Sequence, residues 1–157
     1  MLVREIETRD LEFVKKEWTE NWGSGRIVPK GDIYYYDSTP GFILEIDNVP
    51  RGHITYNINK TDCEIVSLSS KNENIGIGSA LVQKVKDLAI KAGCHRLWLI
   101  TTNDNINALR FYQKRGFFIS AIHLNSIIER RKIKPEIPKT GDNNILIRDE
   151  IELEMKL

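Results

Sequence analysis

The clearest alternation of apolar and polar positions lies mid-chain. Ile77, Leu81, Val85, Leu88 and Ala92 recur at three-to-four spacing, which predicts an amphipathic helix opening after Gly76 and capped at its C-terminus by Gly93. Before it, residues 63–69 read as a strand, and after it residues 96–102 are apolar on both phases, the pattern of a central strand covered on both faces. Strand, helix, strand in that order predicts parallel strands joined by a right-handed crossover. Upstream, residues 2–6 read as a first strand, and Leu11, Val14 and Trp18 share a helix face with Thr8 as the expected N-cap. Residues 42–46 and 52–58 form two strands around Asp47-Asn-Val-Pro50, a hairpin-loop composition.

Downstream, residues 105–114 read as another helix, stopping at Gly116, and residues 117–124 as a strand. Residues 130–144, with Pro135 and Pro138, read as a polar loop before a long last strand. In that strand Ile145, Ile147, Ile151, Leu153, Met155 and Leu157 share a phase that Asp149 interrupts. Either a bulge at 148–150 turns Asp149 outward, or it is a buried carboxylate with a partner such as Arg131 or Arg148.

Composition narrows the class without naming a function. The chain has 157 residues, 41% hydrophobic and 29% charged, which fits one globular α/β domain spanning 1–157. A net charge of +1 offers no field for nucleic acid or an anionic membrane, and no run approaches the ~20 apolar residues of a membrane span. The charged N-terminal segment has no apolar core of a secretion signal, so a cytoplasmic location is expected. Cys63 and Cys94 lack zinc-type spacing and read as buried thiols. His53, His95 and His123 are isolated in sequence, so no metal is expected.

The chemistry begins at the glycine pair. Gly76 and Gly78 follow a strand and a polar loop and open a helix, where unpaired backbone N–H groups accept an anion at close range; a diphosphate is the expected occupant. Glu73-Asn-Ile-Gly76-Ile-Gly78 resembles motif A of the GCN5-related N-acetyltransferase superfamily. Asn105-Ile-Asn-Ala108-Leu-Arg-Phe111-Tyr112-Gln-Lys-Arg-Gly116-Phe117 resembles its motif B, and together the likeness covers residues 64 to 118. It implies a single-domain mixed, mostly antiparallel sheet with helices on both faces, and acetyl-CoA as donor substrate. It also implies that Gly76, Ile77, Gly78 and Ser79 cradle the diphosphate. Val66, Ser67 and Leu68 would offer backbone groups to the pantetheine arm between two splayed strands, an N–H near Leu68 polarising the thioester carbonyl.

The same resemblance assigns two catalytic candidates and one further contact. Asn105 would hydrogen-bond the cofactor arm, in addition to serving as a helix N-cap. Tyr112 would face the departing sulfur; with a phenol pKa of ~10 against ~8.5 for a thiol, hydrogen-bond stabilisation is a sounder role than full proton transfer, and a packed core tyrosine is the alternative. Glu64 aligns with the base of one branch of the family, the alternative being an ordinary strand-end carboxylate; the position used by a second branch is Ile100 here. Glu73 departs from the family's Gln or Arg and should weaken diphosphate binding, with Lys71 as a possible compensating cation.

Two segments would wall the acceptor groove. Trp22 and Tyr34–Tyr36 either line it or belong to the core, and Arg130, Arg131, Lys132 and Lys134 either bind an anionic group or form a solvated loop. The expected activity is acetyl transfer to a primary amine by direct attack in a ternary complex. A small-molecule acceptor is favoured over a protein N-terminus or lysine, and a homodimer is compatible with the sequence. The competing class is a non-catalytic acyl-CoA-binding module.

Overall fold

The computed structural model describes residues 1–71 and 75–157. One seven-stranded sheet runs through it in the order β1-β4-β5-β6-β7-β9-β8. Its strands are β1 (Leu2–Glu5), β4 (Gly41–Ile46), β5 (Val49–Asn59), β6 (Asp62–Ser70), β7 (Arg96–Thr102), β8 (Phe118–His123) and β9 (Glu150–Lys156). A two-stranded ribbon, β2 (Arg26–Ile27) with β3 (Tyr34–Tyr35), stands apart. The helices are α1 (Leu11–Trp22), α2 (Ile77–Lys91), α3 (Ile106–Gln113) and α4 (Ser126–Ile133). Every neighbouring pair in the large sheet is antiparallel except β6 and β7. The expected mixed, mostly antiparallel α/β fold is the one observed.

Local chemistry explains most boundaries. The hairpin between β4 and β5 is a tight turn in which Asp47 and Asn48 both take positive φ, 53° and 61°, the pair that a two-residue turn of matching twist requires. Gly93 closes α2 at φ 79°, and the Cys94 N–H reaches back to the Ala89 carbonyl. At the start of α1 the expectation needs correction. Thr8 is not the cap: residues Thr8–Asp10 form a 3-10 turn, and the Glu7 N–H donates to Asp10 Oδ2 at 2.8 Å.

Packing divides between the two faces. On one, α2 and α3 bury Leu81, Val85, Tyr112 and Phe117 against Ile65, Leu97, Leu99 and Leu153. On the other, Val14 and Trp18 of α1 pack with Ile27, Ile43 and Val66, and Trp22, Tyr34 and Tyr36 join that cluster. β7 is therefore not sealed on both sides. Leu97 and Leu99 are buried, whereas Trp98 and Ile100 on the opposite phase are half-buried because that face borders cavities.

The C-terminal third departs furthest from expectation. The segment that reads as a loop in the sequence begins as helix, since Arg130, Arg131 and Lys132 form the last turn of α4. The last strand starts only at Glu150, and no bulge turns Asp149 outward. Asp149 is buried, accepts from the Asn125 N–H at 2.8 Å and pairs with Arg148 Nε at 3.0 Å.

Candidate active site

The centre of the site is an interruption. β6 and β7 pair in parallel from Asp62↔Arg96 to Ile65↔Leu99, and no pairing follows among the described residues. On its other edge β6 carries a bulge: Ile65 opposes Tyr56 and Ser67 opposes Thr55, which leaves Val66 without a partner on β5. The extra residue bends β6 away from β7, and the gap widens towards the N-terminus of α2. Beyond the last pair, backbone groups of β6 and β7 face each other across a cleft of about 1190 Å³.

One bank of the cleft is β6 from Val66 to Ser70 and the first turn of α2, so Val66, Ser67, Leu68, Gly76, Ile77, Gly78 and Ser79 all line it. Gly76 sits at φ 84°, in the left-handed region that turns the chain into the helix. Gly78 serves another purpose: a Cβ there would come within 2.9 Å of the Phe111 ring of α3, so the two helices approach only because it is absent. The Ser67 side chain does not face an anion. Its hydroxyl meets Thr55 Oγ1 at 2.6 Å and His53 Nε2 at 3.0 Å, inside the sheet. Burial pushes His53 down to about 4, so the imidazole is neutral at physiological pH.

The other bank belongs to α3. Asn105 caps it, Oδ1 accepting from the Ala108 N–H at 3.2 Å, while its amide NH2 has no partner among the described residues. Tyr112 lines the cleft, packed edge-on between Phe111 and Phe117 at 5.0 and 5.3 Å between ring centroids. Its hydroxyl has no hydrogen-bond partner among the described residues. Burial raises its pKa, so the group remains a phenol, able to donate a hydrogen bond and slow to give up its proton outright.

Arg115 was not anticipated. Its guanidinium stacks 3.5 Å above the Phe111 ring and donates through Nε and Nη2 to Ser79 Oγ at 2.9 and 2.7 Å. It is therefore the cation held at the α2 N-terminus. Its signal in the sequence was its place four residues after Phe111, one turn on and just past the end of α3. Lys71, the expected compensating cation, is engaged elsewhere: its ammonium pairs with Glu17 at 2.5 Å and Glu20 at 3.6 Å on α1. Glu73 lies outside the described residues.

Glu64 is not on the cleft. It lines a separate cavity of about 330 Å³ with Tyr34, Asn57, Asp62 and Trp98. Tyr34 donates to Glu64 Oε2 at 2.8 Å, yet burial dominates and lifts the carboxyl to about 7. The same cavity holds Asp32, and Lys30 stands 5.3 Å from the centre of the Trp98 ring.

Beside the cleft, the two expected acceptor walls are tied together. Lys134 Nζ donates to the Trp22 carbonyl at 2.5 Å and the Arg26 carbonyl at 2.7 Å. Arg26 returns the contact to the Ile133 carbonyl at 3.2 Å and to Glu136 at 3.3 Å. Arg131 is structural, holding the carbonyls of Ile137, Pro138 and Ile147, and Lys132 pairs with Glu129 at the surface. Arg130 lines the cleft with Glu150, to which its Nε donates at 2.9 Å. Glu150, Glu152 and Glu154 alternate on the polar phase of β9, a pattern readable in the sequence but overshadowed there by the apolar phase. Among the described residues no cluster of His, Cys, Asp and Glu could hold a metal ion, and no helix is long and apolar enough to cross a membrane.

Known proteins share this fold. Residues 7–117 match the model of the Acetyltransferase (GNAT) family. The Bacillus subtilis (strain 168) protein YdhI, described only as uncharacterized, is 46% identical over 135 residues, 85% of this chain and 84% of its own. A Bacillus subtilis acetyltransferase crystallised with CoA superposes with a TM-score of 0.74 at 20% identity, covering 99% of this chain and 97% of the other. A GNAT family acetyltransferase from Elizabethkingia anophelis with acetyl-CoA bound gives 0.73 at 23% identity, with coverage of 99% and 97%.

Proposed function

The chain belongs to the GNAT family of acetyltransferases, and from that membership we propose that it is a single acetyltransferase domain that moves an acetyl group from acetyl-CoA to a primary amine of a small molecule. The observation that carries this reading is the gap where β6 and β7 part, flanked by a glycine-opened helix N-terminus on one bank and by Asn105 and Tyr112 on the other. Its volume exceeds the roughly 300–1,000 Å³ of a pocket for one ligand and suits two substrates held together. The N–H groups at Gly76–Ser79, with the Arg115 guanidinium beside them, suit the donor's diphosphate. The free edges of Val66–Leu68 and the unpaired amide of Asn105 suit its amide-bearing arm.

The reaction is direct. The amine nitrogen forms a bond to the acetyl carbon, the C–S bond breaks, and sulfur leaves with the electron pair and takes up a proton, balanced by the one the nitrogen sheds on becoming an amide. Tyr112 donates a hydrogen bond to that sulfur, and an N–H near Leu68 receives charge developing on the carbonyl oxygen. An amine of pKa ~10.4 must first lose a proton, at a cost of about 4–5 kcal/mol at neutral pH. Glu64, with a pKa of about 7, is matched to accept it, and because it lines the separate smaller cavity it would do so through intervening water.

The tie between Lys134 and the α1–β2 segment supports a small acceptor over a polypeptide, because the two walls meet instead of standing apart as the sides of an open groove. The test is release of free thiol from acetyl-CoA across an amine panel, beside calorimetry. Uptake of acetyl-CoA with thiol release is expected. Uptake without turnover on any amine would make the protein a binding module, and no uptake would overturn the reading entirely.

A further inference from the structure

One group in the cleft is held ready and unused. Arg130 is only 15% exposed, and its Nε is committed to Glu150, yet its Nη1 and Nη2 have no hydrogen-bond partner among the described residues. A guanidinium anchored through Nε keeps its outer edge flat and turned away from its anchor, the geometry that grips a carboxylate with two parallel N–H···O bonds. The local charge is favourable. Arg130 and Lys134 both line the cleft, and the Glu150 carboxylate beside Arg130 neutralises one of the two cations. The Lys134 ammonium gives two of its three N–H donors to backbone carbonyls and is held in place by them, whereas Arg130 keeps both outer nitrogens available. Ile27, Val28 and Ile127 supply buried apolar surface beside it.

The geometry points to an acceptor that carries a carboxylate as well as its amine and has an apolar body: an apolar amino acid or close analogue, with Arg130 binding its carboxylate and Glu150 positioning Arg130. This rests on the acetyl-transfer reading above and specifies its substrate. A neutral amine of the same shape leaves a half-buried guanidinium unsatisfied, and a charge-assisted pair of this kind discriminates by about tenfold to a hundredfold.

The test compares apolar amino acids with their amides and their decarboxylated amines, for example leucine, leucinamide and 3-methylbutylamine, by thiol release from acetyl-CoA. The wild-type protein is expected to favour the free acid by that factor in kcat/KM, chiefly through KM. In Arg130→Gln the preference should collapse towards unity while the KM for acetyl-CoA stays unchanged, and Arg130→Lys should restore part of it. Should Arg130→Gln fail to fold, the wild-type ratio alone decides. Equal or better use of the decarboxylated amines, or turnover confined to amines without a carboxylate, overturns this inference and leaves the acetyltransferase reading intact. Silence on every amine overturns both.

Discussion

Two cavities flank the point where β6 and β7 part, and the groups singled out in each differ in how they are partnered. In the smaller one they are answered from within the chain: Glu64 by Tyr34, Asp62 by Arg96 at 3.5 Å, and the Trp98 ring by Lys30. In the larger one the Tyr112 hydroxyl, the Asn105 amide and the outer nitrogens of Arg130 have no partner among the described residues. Donors without a partner in the chain, gathered on one cleft, are open to a molecule from outside that can complete them. The perturbed acidity of Glu64 sits on the satisfied side. A shifted pKa alone would therefore have drawn attention to the smaller cavity, and a hydrogen-bond inventory draws it to the larger.

Substitutions on each side can break this contrast. Tyr112→Phe removes an unpaired donor without changing shape, and kcat should fall about a hundredfold with the Kd for acetyl-CoA unaltered. An unchanged kcat at saturating acetyl-CoA would reduce Tyr112 to a packing residue. Gly78→Val drives a side chain into the Phe111 ring, so calorimetry should register acetyl-CoA binding weakened tenfold or more, and thermal unfolding a loss of about 1–3 kcal/mol. Binding at wild-type strength would show that α2 and α3 can separate without harm to the cleft.

Glu64→Gln tests the satisfied side in two ways. The acidic limb of kcat/KM, expected near pH 7 in the wild type, should disappear in the variant. Stability should change as well. Because folding raises this carboxyl from 4.5 to about 7, ionisation opposes folding: the penalty is absent below pH 4.5, grows as pH rises towards 7 and is complete above it. The variant should accordingly match the wild type in acid and exceed it by about 1–3 kcal/mol above pH 7 in denaturant titrations. His53 works in the opposite direction. Its pKa is lowered from 6.5 to about 4, so the stability it confers is full above pH 6.5 and drains away as pH falls through that window. The smallest effect belongs to Lys71→Met, which should leave acetyl-CoA affinity within about twofold, since the lysine serves α1 and not the anion site. A tenfold loss would return Lys71 to the cofactor.

Much of this was readable from the chain because local rules acted alone. The 3.6-residue period of α2, the Asp47-Asn48 turn, the Gly76 turn into α2 and the Asn105 cap of α3 are each set within a few residues. What escaped was decided at long range. α4 buries only Ile127, so eight residues rich in charge gave no helical period to see. The partners of Arg130 and Lys134 lie 20 and 112 positions away, and Glu64 and the cleft fall into separate cavities because of how β3 folds over β6. The sequence offered both readings of Asp149, and a neighbouring backbone N–H together with Arg148 decided for burial.

The unpartnered Val66 has a consequence for how such a domain could be redesigned or damaged. Deleting that one residue would let β5 and β6 run in unbroken register and invite β6 and β7 to zip together past Leu99. The shortened chain would be the more regular sheet, but it would lose a side chain buried with Val14, Trp18 and Ile43 as well as the opening between the strands. In this architecture that opening rests on a single surplus residue.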